Sequence, residues 1–314
     1  MQFWAVVGDS LRESLDRKIF WVLIALTLVV TLAMASIGFQ GEEVSYFFGL
    51  WSGKTERFNP LSDIGRSNLV GVAIYFISSL TIGYVGIILM VIATAGAFPT
   101  LMERGSIDVL LSKPISRGRL FLYKYLATLT FVIIQAVLFF GMTFLVMGLR
   151  WGIWVPGYLL SMVLLVLLFS YIYCVSVLVA VKTRSTLAAV LLTIFSWGLF
   201  ALIHQAPGIF ETFPELKERR AIYHAVRIVS WIPPKTGDFP YLAAKWSQAG
   251  TSVDAMPFFA ANAMTLADLE GIDRARQFEE RELLKSPVKS IGSSLLFEAV
   301  ILGLGMWSFS RKDF

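Results

Sequence analysis

The sequence predicts an all-α membrane protein with six transmembrane helices, and three observations support that fold class. Of the 314 residues, 56% are hydrophobic and 16% are charged, and the mean hydropathy of +0.70 is too high for an ordinary solvated globule. Six apolar stretches approach or exceed the roughly 20 residues that a helix needs to cross about 30 Å of hydrocarbon. The basic residues gather at the edges of these stretches rather than inside them.

The predicted spans follow from the length of each apolar run, with ends placed where polar residues resume. The second and fourth are long enough to tilt or to extend beyond the lipid. The first could instead be a cleaved signal peptide, because Ala33-Met34-Ala35 resembles a small-residue cleavage site; the acidic residues Asp9, Glu13 and Asp16 before it favour a retained span. The six spans cover residues 19–38, 69–98, 125–149, 153–181, 186–203 and 291–309.

Lysine and arginine residues set the predicted orientation, because short basic loops resist translocation. The short loops of one side carry only Lys54, Arg57, Arg66 and Arg150. This asymmetry predicts a multi-pass protein of the plasma membrane with both termini in the cytoplasm. The residues assigned to the cytoplasmic side are Arg12, Arg17, Lys18, Arg104, Lys113, Arg117, Arg119, Lys124, Lys182, Arg184, Arg311 and Lys312.

Residues 1–18 are predicted to form an amphipathic helix that lies in the cytoplasmic membrane interface and anchors the first span. Its charged residues fall outside an apolar face, which is the pattern of a helix lying flat at a bilayer surface. The apolar face comprises Phe3, Trp4, Val7, Leu11 and Leu15.

Residues 204–290, between the fifth and sixth spans, are predicted to form a helical insert on the outer side. Acidic and basic residues balance there, and long segments cross the membrane largely regardless of charge. Ile222, Val226 and Val229 recur at helical spacing, and the prolines at 233–234 end that helix. A second short helix is expected from about residue 238 to 250, and a third, densely charged helix from 265 to about 285.

The segment between the second and third spans, residues 99–119, is predicted to present a short helix to the cytoplasm. Ser106 is placed to cap this helix, and Pro114 ends it. Ile107, Leu110 and Leu111 share one face and form an apolar ridge.

Two interpretations of this ridge stay open from the residues alone. Basic side chains border it, which suits docking into a groove of a soluble partner but also suits contact with anionic lipid on the inner leaflet. Ser116 is then expected to cap the helix that continues into the third span. The bordering residues are Arg104, Lys113, Arg117 and Arg119.

Three motifs make the chain resemble the bacterial ABC type-2 permeases, which have the ABCG-like, type V exporter fold. They are ERGSIDVLLSKPISR at residues 103–117, LRESLDRKIFW at residues 11–21 and FSRKDF at residues 309–314. The first is fairly specific, and together the motifs span the whole chain. The resemblance implies six spans, an elbow helix before the first, a coupling helix between the second and third, and outer helices before the sixth. The outer insert is longer here than in many such permeases.

The resemblance also implies partners and roles. A dimer of cytoplasmic ABC ATPases would bind ATP and Mg²⁺ and move the coupling helix, and a second permease half, identical or related, would complete the transporter. This chain would then be a transport subunit that carries neither a cofactor nor ATPase activity. The implied coupling residues are Glu103, Arg104, Ile107, Asp108, Leu110, Leu111, Lys113, Pro114 and Arg117.

Enzymatic chemistry finds little support in the sequence. The stretch GLWSGKT at residues 49–55 approaches a phosphate-binding loop but is one residue short and follows no strand pattern. The GDSL stretch at residues 8–11 resembles a lipase nucleophile block, yet both histidines, His204 and His224, are predicted on the other side of the bilayer. With Cys174 as the single cysteine, neither a disulfide framework nor a cysteine–histidine metal site is expected. No catalytic residue, metal site or nucleic-acid partner is therefore predicted.

Glu298 and Gln135 are the intramembrane polar residues that the sequence singles out. Glu298 lies about 10 Å from the outer end of the last predicted span at 1.5 Å per residue, a depth at which a carboxylate is costly and often functional. One interpretation is a proton or cation relay. The interpretation favoured by the residues is a carboxyl hydrogen-bonded to Ser294, Gln135 or a neighbouring helix.

Three functions remain in view. The leading hypothesis is an ATP-driven exporter permease for a hydrophobic or amphipathic substrate, since the spans offer no ladder of charged residues. The second is a mechanotransmission or assembly subunit that acts on an outer partner through residues 204–290. The third, a lipid-modifying membrane enzyme, lacks the clustered acidic, histidine or nucleophilic residues that it needs.

Overall fold

The computed structural model is predominantly helical, and it describes residues 2–16, 18–40, 43–54, 85–103, 115–212, 220–237, 239, 242 and 287–312. Within these residues, five helical segments are long and apolar enough to cross a membrane. They confirm a mostly helical membrane protein, and they overlap the first, third, fourth, fifth and sixth predicted spans. The five segments are Lys18–Ser36, Arg117–Trp151, Pro156–Thr183, Thr186–His204 and Ile291–Ser310.

The second predicted span is described only in part. A shorter apolar helical stretch, Val85–Leu101, covers its end, and residues 69–84 lie outside the described residues. The count of six spans therefore stays a prediction.

The helices and strands are numbered here in chain order. Two short 3-10 turns occur at Phe47–Gly49 and Pro156–Leu159. The helices are α1 (Gln2–Asp16), α2 (Lys18–Ser36), α3 (Val85–Thr94), α4 (Ala97–Leu101), α5 (Arg117–Trp151), α6 (Leu160–Thr183), α7 (Thr186–Thr212), α8 (Arg220–Val229) and α9 (Pro287–Ser310), and the strands are β1 (Gly38–Gln40), β2 (Glu43–Tyr46) and β3 (Trp51–Lys54).

Helix α6 forms the centre of the described bundle. It packs against α9, α7 and α5, and also contacts α3 and α4. Its apolar residues cover the whole circumference, which is the pattern of a helix surrounded by others. Phe169, Tyr171 and Cys174 near its middle are fully buried. Helices α1 and α2 pack against α5 on the outside of this arrangement.

Two helices extend well beyond the spans predicted from hydropathy. Helix α5 begins at Arg117, as expected for a helix that follows Ser116 and continues into the third span, whose apolar part was predicted from residue 125. Helix α7 continues to Thr212, past the predicted end at 203, with Pro207 inside it. Hydropathy marks where a helix leaves hydrocarbon, whereas the helix itself continues through polar residues such as His204. The end of α5 has a local cause: Gly152 adopts a left-handed conformation (φ 69°), and its N–H bonds to the Gly148 carbonyl at 3.1 Å.

A small antiparallel sheet follows α2, where the sequence predicted only an outer loop. Strand β2 pairs with β1 and with β3, with Gly38 opposite Ser45 and Tyr46 opposite Trp51. Strands of three or four residues are too short to produce a recognisable alternation. The Gly49–Lys54 part of the phosphate-loop-like stretch lies in the turn and strand of this hairpin, which is unlike the strand–loop–helix context of a phosphate-binding loop.

Candidate functional site

One end of the bundle collects the basic residues that the sequence assigned to the cytoplasmic side. The start of α5, the end of α6 and the end of α9 meet there through hydrogen bonds of Arg117 and Lys312. The opposite end is marked by Trp151, whose indole N–H donates to the Ile37 carbonyl at 3.0 Å. We call the first end the basic face. Its described basic residues are Arg12, Lys18, Arg117, Arg119, Lys124, Lys182, Arg184, Arg311 and Lys312.

The predicted coupling segment is residues 99–119, and both of its described ends lie at this basic face. Glu103 is exposed just after α4, and its N–H bonds to the Thr100 carbonyl at 3.3 Å. The chain is described again from Ile115, which is buried. Of the predicted coupling residues, Glu103 and Arg117 are described. The others, Arg104, Ile107, Asp108, Leu110, Leu111, Lys113 and Pro114, lie outside the described residues.

Arg117 connects the returning end of this segment to the end of the chain. Its Nη1 donates to the Lys312 carbonyl at 2.5 Å and to the Ser310 carbonyl at 3.3 Å. These carbonyls are at and just past the end of α9, where a cation interacts favourably with the helix dipole. Ser116 occupies the N-cap position of α5, but its hydroxyl makes no capping hydrogen bond, so that part of the prediction is wrong.

Lys312 extends the same connection to α6. Its Nζ donates to the carbonyls of Val181 and Lys182 in the last turn of that helix. Partial burial, and secondarily the nearby charge of Arg184, lower the pKa of Lys312. The start of α5 and the ends of α6 and α9 are thus joined close to Ile115, where the described chain resumes after the predicted coupling residues.

An aromatic cluster lies directly beneath these polar contacts. The rings of Phe98 and Phe121 are 5.1 Å apart, and those of Phe121 and Phe309 are 5.8 Å apart. All three side chains are buried, and they join α4, α5 and α9. A Cβ added at Gly305 would lie 3.2 Å from Phe121 Cζ, so the absence of a side chain there permits the close approach of α9 to α5.

Helix α1 is attached to α5 by an ion pair between a buried lysine and a partly buried glutamate. Lys124 Nζ lies 2.7 Å from Glu13 Oε2 and 3.2 Å from Ser10 Oγ, and Lys124 is 6% exposed. Val7 is buried as expected for the apolar face, whereas Leu15, which was assigned to that face, is 45% exposed. Ser10, the serine of the GDSL stretch, accepts a hydrogen bond from this lysine.

Glu298 joins three helices in the interior of the bundle. Its Oε1 accepts from the Tyr125 hydroxyl at 2.7 Å on α5, and its Oε2 accepts from Ser170 Oγ at 3.1 Å on α6. The residue is 9% exposed. Tyr125 also stacks on Tyr173, with centroids 5.5 Å apart. The carboxyl is therefore hydrogen-bonded to neighbouring helices, as expected. The partners are Tyr125 and Ser170, whereas Gln135, which the sequence also suggested, bonds elsewhere.

Gln135 belongs to a different contact. Its Nε2 donates to Thr27 Oγ1 at 3.0 Å and to the Leu23 carbonyl at 3.3 Å, so it connects α5 to α2. Its Oε1 is buried and has no hydrogen-bond partner among the residues that the structure describes. The structure therefore does not bring the two intramembrane polar candidates together.

The part of the chain that the structure describes holds no cluster of candidate metal ligands. Within those residues, no group of three or more histidine, cysteine, aspartate or glutamate side chains could hold a metal ion. The sequence did not predict the hydrogen bonds of Tyr125, Ser170 and Lys312, because each of these residues lies far along the chain from its partner. Only the depth of Tyr125 and Ser170 in their spans could have indicated them.

The comparison with known families gave one result that covers nearly the whole chain. The family described as ABC-2 family transporter protein matches residues 4–314. A search of curated proteins found no match.

Proposed function

Because the chain belongs to the ABC-2 transporter family, we propose that it is the permease subunit of an ATP-driven exporter. Family membership and the apolar helices make it a multi-pass membrane subunit of an ABC transporter. The proposal adds that a cytoplasmic ATPase dimer binds ATP and Mg²⁺, that a second permease half completes the pathway, and that the cargo moves outward.

The observation that carries this proposal is the connection between the coupling segment and the spans. Residues 104–114 start after α4 and return just before α5, and Arg117 there is bonded to the end of the chain after α9. The buried rings of Phe98, Phe121 and Phe309 lie beneath this point. Because packed interiors transmit displacement rather than absorbing it, a push on the segment would move α5 and α9 together.

The distribution of charge supports the proposed orientation and class of cargo. The basic face would lie in the cytoplasm, in agreement with the preference of basic residues for that side. Within the five described spans, Glu298 is the one acidic residue, and both of its carboxyl oxygens accept hydrogen bonds, from Tyr125 and Ser170. A pathway for hydrophilic ions would need more charge than that, so we propose a hydrophobic or amphipathic substrate.

The coupling claim has a direct test. The chain is purified from native membranes with any associated ABC ATPase, and ATP hydrolysis and transport are then measured after reconstitution. Ile107→Asp and Leu111→Asp are expected to remove hydrolysis stimulated by the permease, because each places a charge in an apolar contact. Ser112→Asp is the matched control, because helical spacing predicts Ser112 on the face of the helix opposite the ridge. Normal coupling in both ridge variants would exclude the docking claim.

A mechanotransmission or assembly role is the second candidate, and one observation favours it. The outer insert packs directly on the spans: Phe239 contacts the ring of Tyr171 at 5.6 Å, and the Lys235 N–H donates to Ser294 Oγ at 3.1 Å. Movements of α6 and α9 would therefore reach the insert, where an outer partner could receive them.

Deleting residues 243–285 separates the two candidates and retains Phe239 and Leu242, both of which are buried. Transport that survives the deletion favours the exporter. Loss of an outer partner with ATPase coupling intact favours mechanotransmission.

A further inference from the structure

The hairpin β2–β3 places a run of apolar side chains beside the end of α2. Strand β1 continues from α2, and β2 returns antiparallel to it with Ser45 opposite Gly38. Continuing this register brings the Phe47–Gly49 turn to the level of the last residues of α2, and the turn does contact that helix. The tip of the hairpin therefore points back toward the membrane rather than away from it.

The side chains at this tip are large, apolar and exposed. Phe47 and Phe48 are 64% and 65% exposed, Leu50 is 90% exposed and Trp51 is 71% exposed. Single exposed apolar residues are ordinary, but four within five positions form a patch that normally has a partner. We call residues 47–51 the apolar tip.

The backbone of the tip makes this composition unusual. Phe47, Phe48 and Gly49 all have positive φ values, of 51°, 59° and 97°. Glycine and asparagine are the ordinary residues for such a turn, whereas bulky side chains are strained there. Phenylalanine at two of these positions indicates that the rings provide exposed apolar surface, which a polar turn residue would not provide.

The polarity of the hairpin changes along its length. The register pairs Glu43 with Lys54 at the end away from α2, and Tyr46 with Trp51 at the end beside it. A charged end and an aromatic end separated along one short sheet match the polarity change from water to the hydrocarbon boundary, where tryptophan and tyrosine are enriched.

We propose that the apolar tip inserts into the bilayer leaflet on the side opposite the basic face, beside α2. The inserted groups are the side chains of Phe47, Phe48, Leu50 and Trp51, and the partner is the headgroup–acyl boundary of the lipid. This inference does not depend on the transport function, since it requires only that α2 spans the membrane.

Lipid fits the tip better than a protein partner because the exposed surface is continuous with that of α2. Val29 and Leu32, in the second half of that helix, are 61% and 59% exposed. A spanning helix with such a face borders hydrocarbon, and the tip contacts the same helix at its end. An amphipathic element at this depth is bound mainly by its buried apolar area.

The test measures the depth of single spin labels in the full-length protein. Cys174 is the one native cysteine, so Cys174→Ser provides the background for Leu50→Cys, Glu43→Cys and Leu32→Cys. Each variant is labelled with a nitroxide in phosphatidylcholine–phosphatidylethanolamine vesicles, and its collisions with oxygen and with a water-soluble nickel chelate are compared. Leu32 serves as the lipid reference and Glu43 as the reference at the charged end of the same hairpin.

We expect the Leu50 label to favour oxygen over the nickel chelate, as the Leu32 label does, and the Glu43 label to show the reverse. A Leu50 label as accessible to nickel as that at Glu43 would overturn the proposal. So would a Leu50 label shielded from both reagents, because that result indicates contact with protein.

A second measurement needs no label. Lipids brominated at shallow acyl positions quench tryptophan fluorescence on contact, and Trp51→Phe should remove part of the quenched signal in otherwise unmodified protein. Quenching that is unchanged by Trp51→Phe would count against insertion of the tip.

Discussion

Within the part of the chain that the structure describes, Glu298 shows how a carboxyl group can lie inside a membrane protein without a basic partner. Among the residues that the structure describes, its two oxygens accept hydrogen bonds from Tyr125 and Ser170, on two different helices. Each donor satisfies a group whose desolvation would otherwise be costly. The arrangement accounts for the residue as a polar contact that fixes α9 against α5 and α6.

Removing the shorter of these bonds tests that account. Tyr125→Phe leaves Glu298 Oε1 without its donor, and we expect a loss of about 0.5–2 kcal/mol of stability, the range found for hydrogen bonds between helices in membranes. Glu298→Gln, which keeps an acceptor for Tyr125, should cost less. Both are measured by thermal unfolding of purified protein. Thr130→Val is the control, because that hydroxyl donates to the Leu126 carbonyl of its own helix.

The opposite pattern would support a relay. If Tyr125→Phe leaves stability unchanged while Glu298→Gln abolishes transport, the carboxyl acts through its proton rather than through its hydrogen bonds.

The partners of Glu298 mark the limit of what the sequence could predict at this scale. Its depth followed from the length of the last apolar run and a rise of about 1.5 Å per residue. The identity of its donors did not, because Tyr125 is 173 residues away in the chain. Several serine, threonine and tyrosine residues occur at suitable depths in the spans, and the rotation of each helix selects among them.

Helices α5 and α9 approach each other closely because of one glycine. A Cβ atom at Gly305 would lie 3.2 Å from Phe121 Cζ. Close approach at small residues is a common way for membrane helices to pack. Gly303 on the same helix has open space at the corresponding position. The two glycines therefore provide a matched pair.

We expect Gly305→Leu to displace Phe121 and to cost about 1–3 kcal/mol, as overpacking usually does. Gly303→Leu should change stability little. Thermal unfolding measures the difference, and permease-stimulated ATP hydrolysis reports whether the Phe98, Phe121 and Phe309 contacts are needed for coupling. Equal effects of the two substitutions would show that the Gly305 contact is not tight.

The elements themselves were predictable to different degrees. Long apolar runs predicted the described spans because the bilayer fixes their minimum length. The start of α5 was predicted, because Ser116 was expected to precede the helix that continues into the third span. The end of α7 at Thr212 was not predicted, since polar residues such as His204 belong to a helix that continues past the apolar run. The hairpin after α2 was missed because its pairing is set by a turn with positive φ values at Phe47 and Phe48, which sequence propensity does not favour.

At the scale of the whole molecule, the described contacts lead from the coupling segment to the spans by a short polar route. Arg117 bonds to the carbonyls of Ser310 and Lys312, and Lys312 in turn bonds to the end of α6. The family motif placed Arg117 among the residues that face the ATPase. Its geometry adds a role inside the chain, which the sequence could not indicate because the two ends of the contact are 195 residues apart.

This route predicts that binding of the ATPase and coupling to transport are separable. Arg117→Gln removes the charged donor but leaves the apolar ridge of the segment unchanged. We expect the ATPase to copurify normally while transport per ATP hydrolysed falls about fivefold, which corresponds to about 1 kcal/mol. Lys18→Gln, at an exposed residue of the basic face that lies at the start of α2 and outside the coupling segment, should leave both quantities unchanged.

A double variant identifies the contact responsible. Deleting residues 311–314 removes the Lys312 carbonyl that accepts from Arg117, so this deletion should reproduce the defect of Arg117→Gln. Both changes break the bond between Arg117 and the Lys312 carbonyl, and the deletion also removes the Lys312 Nζ contacts with α6. Because the two changes share one interaction, the loss in their combination should be smaller than the sum of the single losses, whereas independent effects would add. Additive losses of coupling would mean that Arg117 acts on the ATPase directly, and the route through the end of the chain would then have to be abandoned.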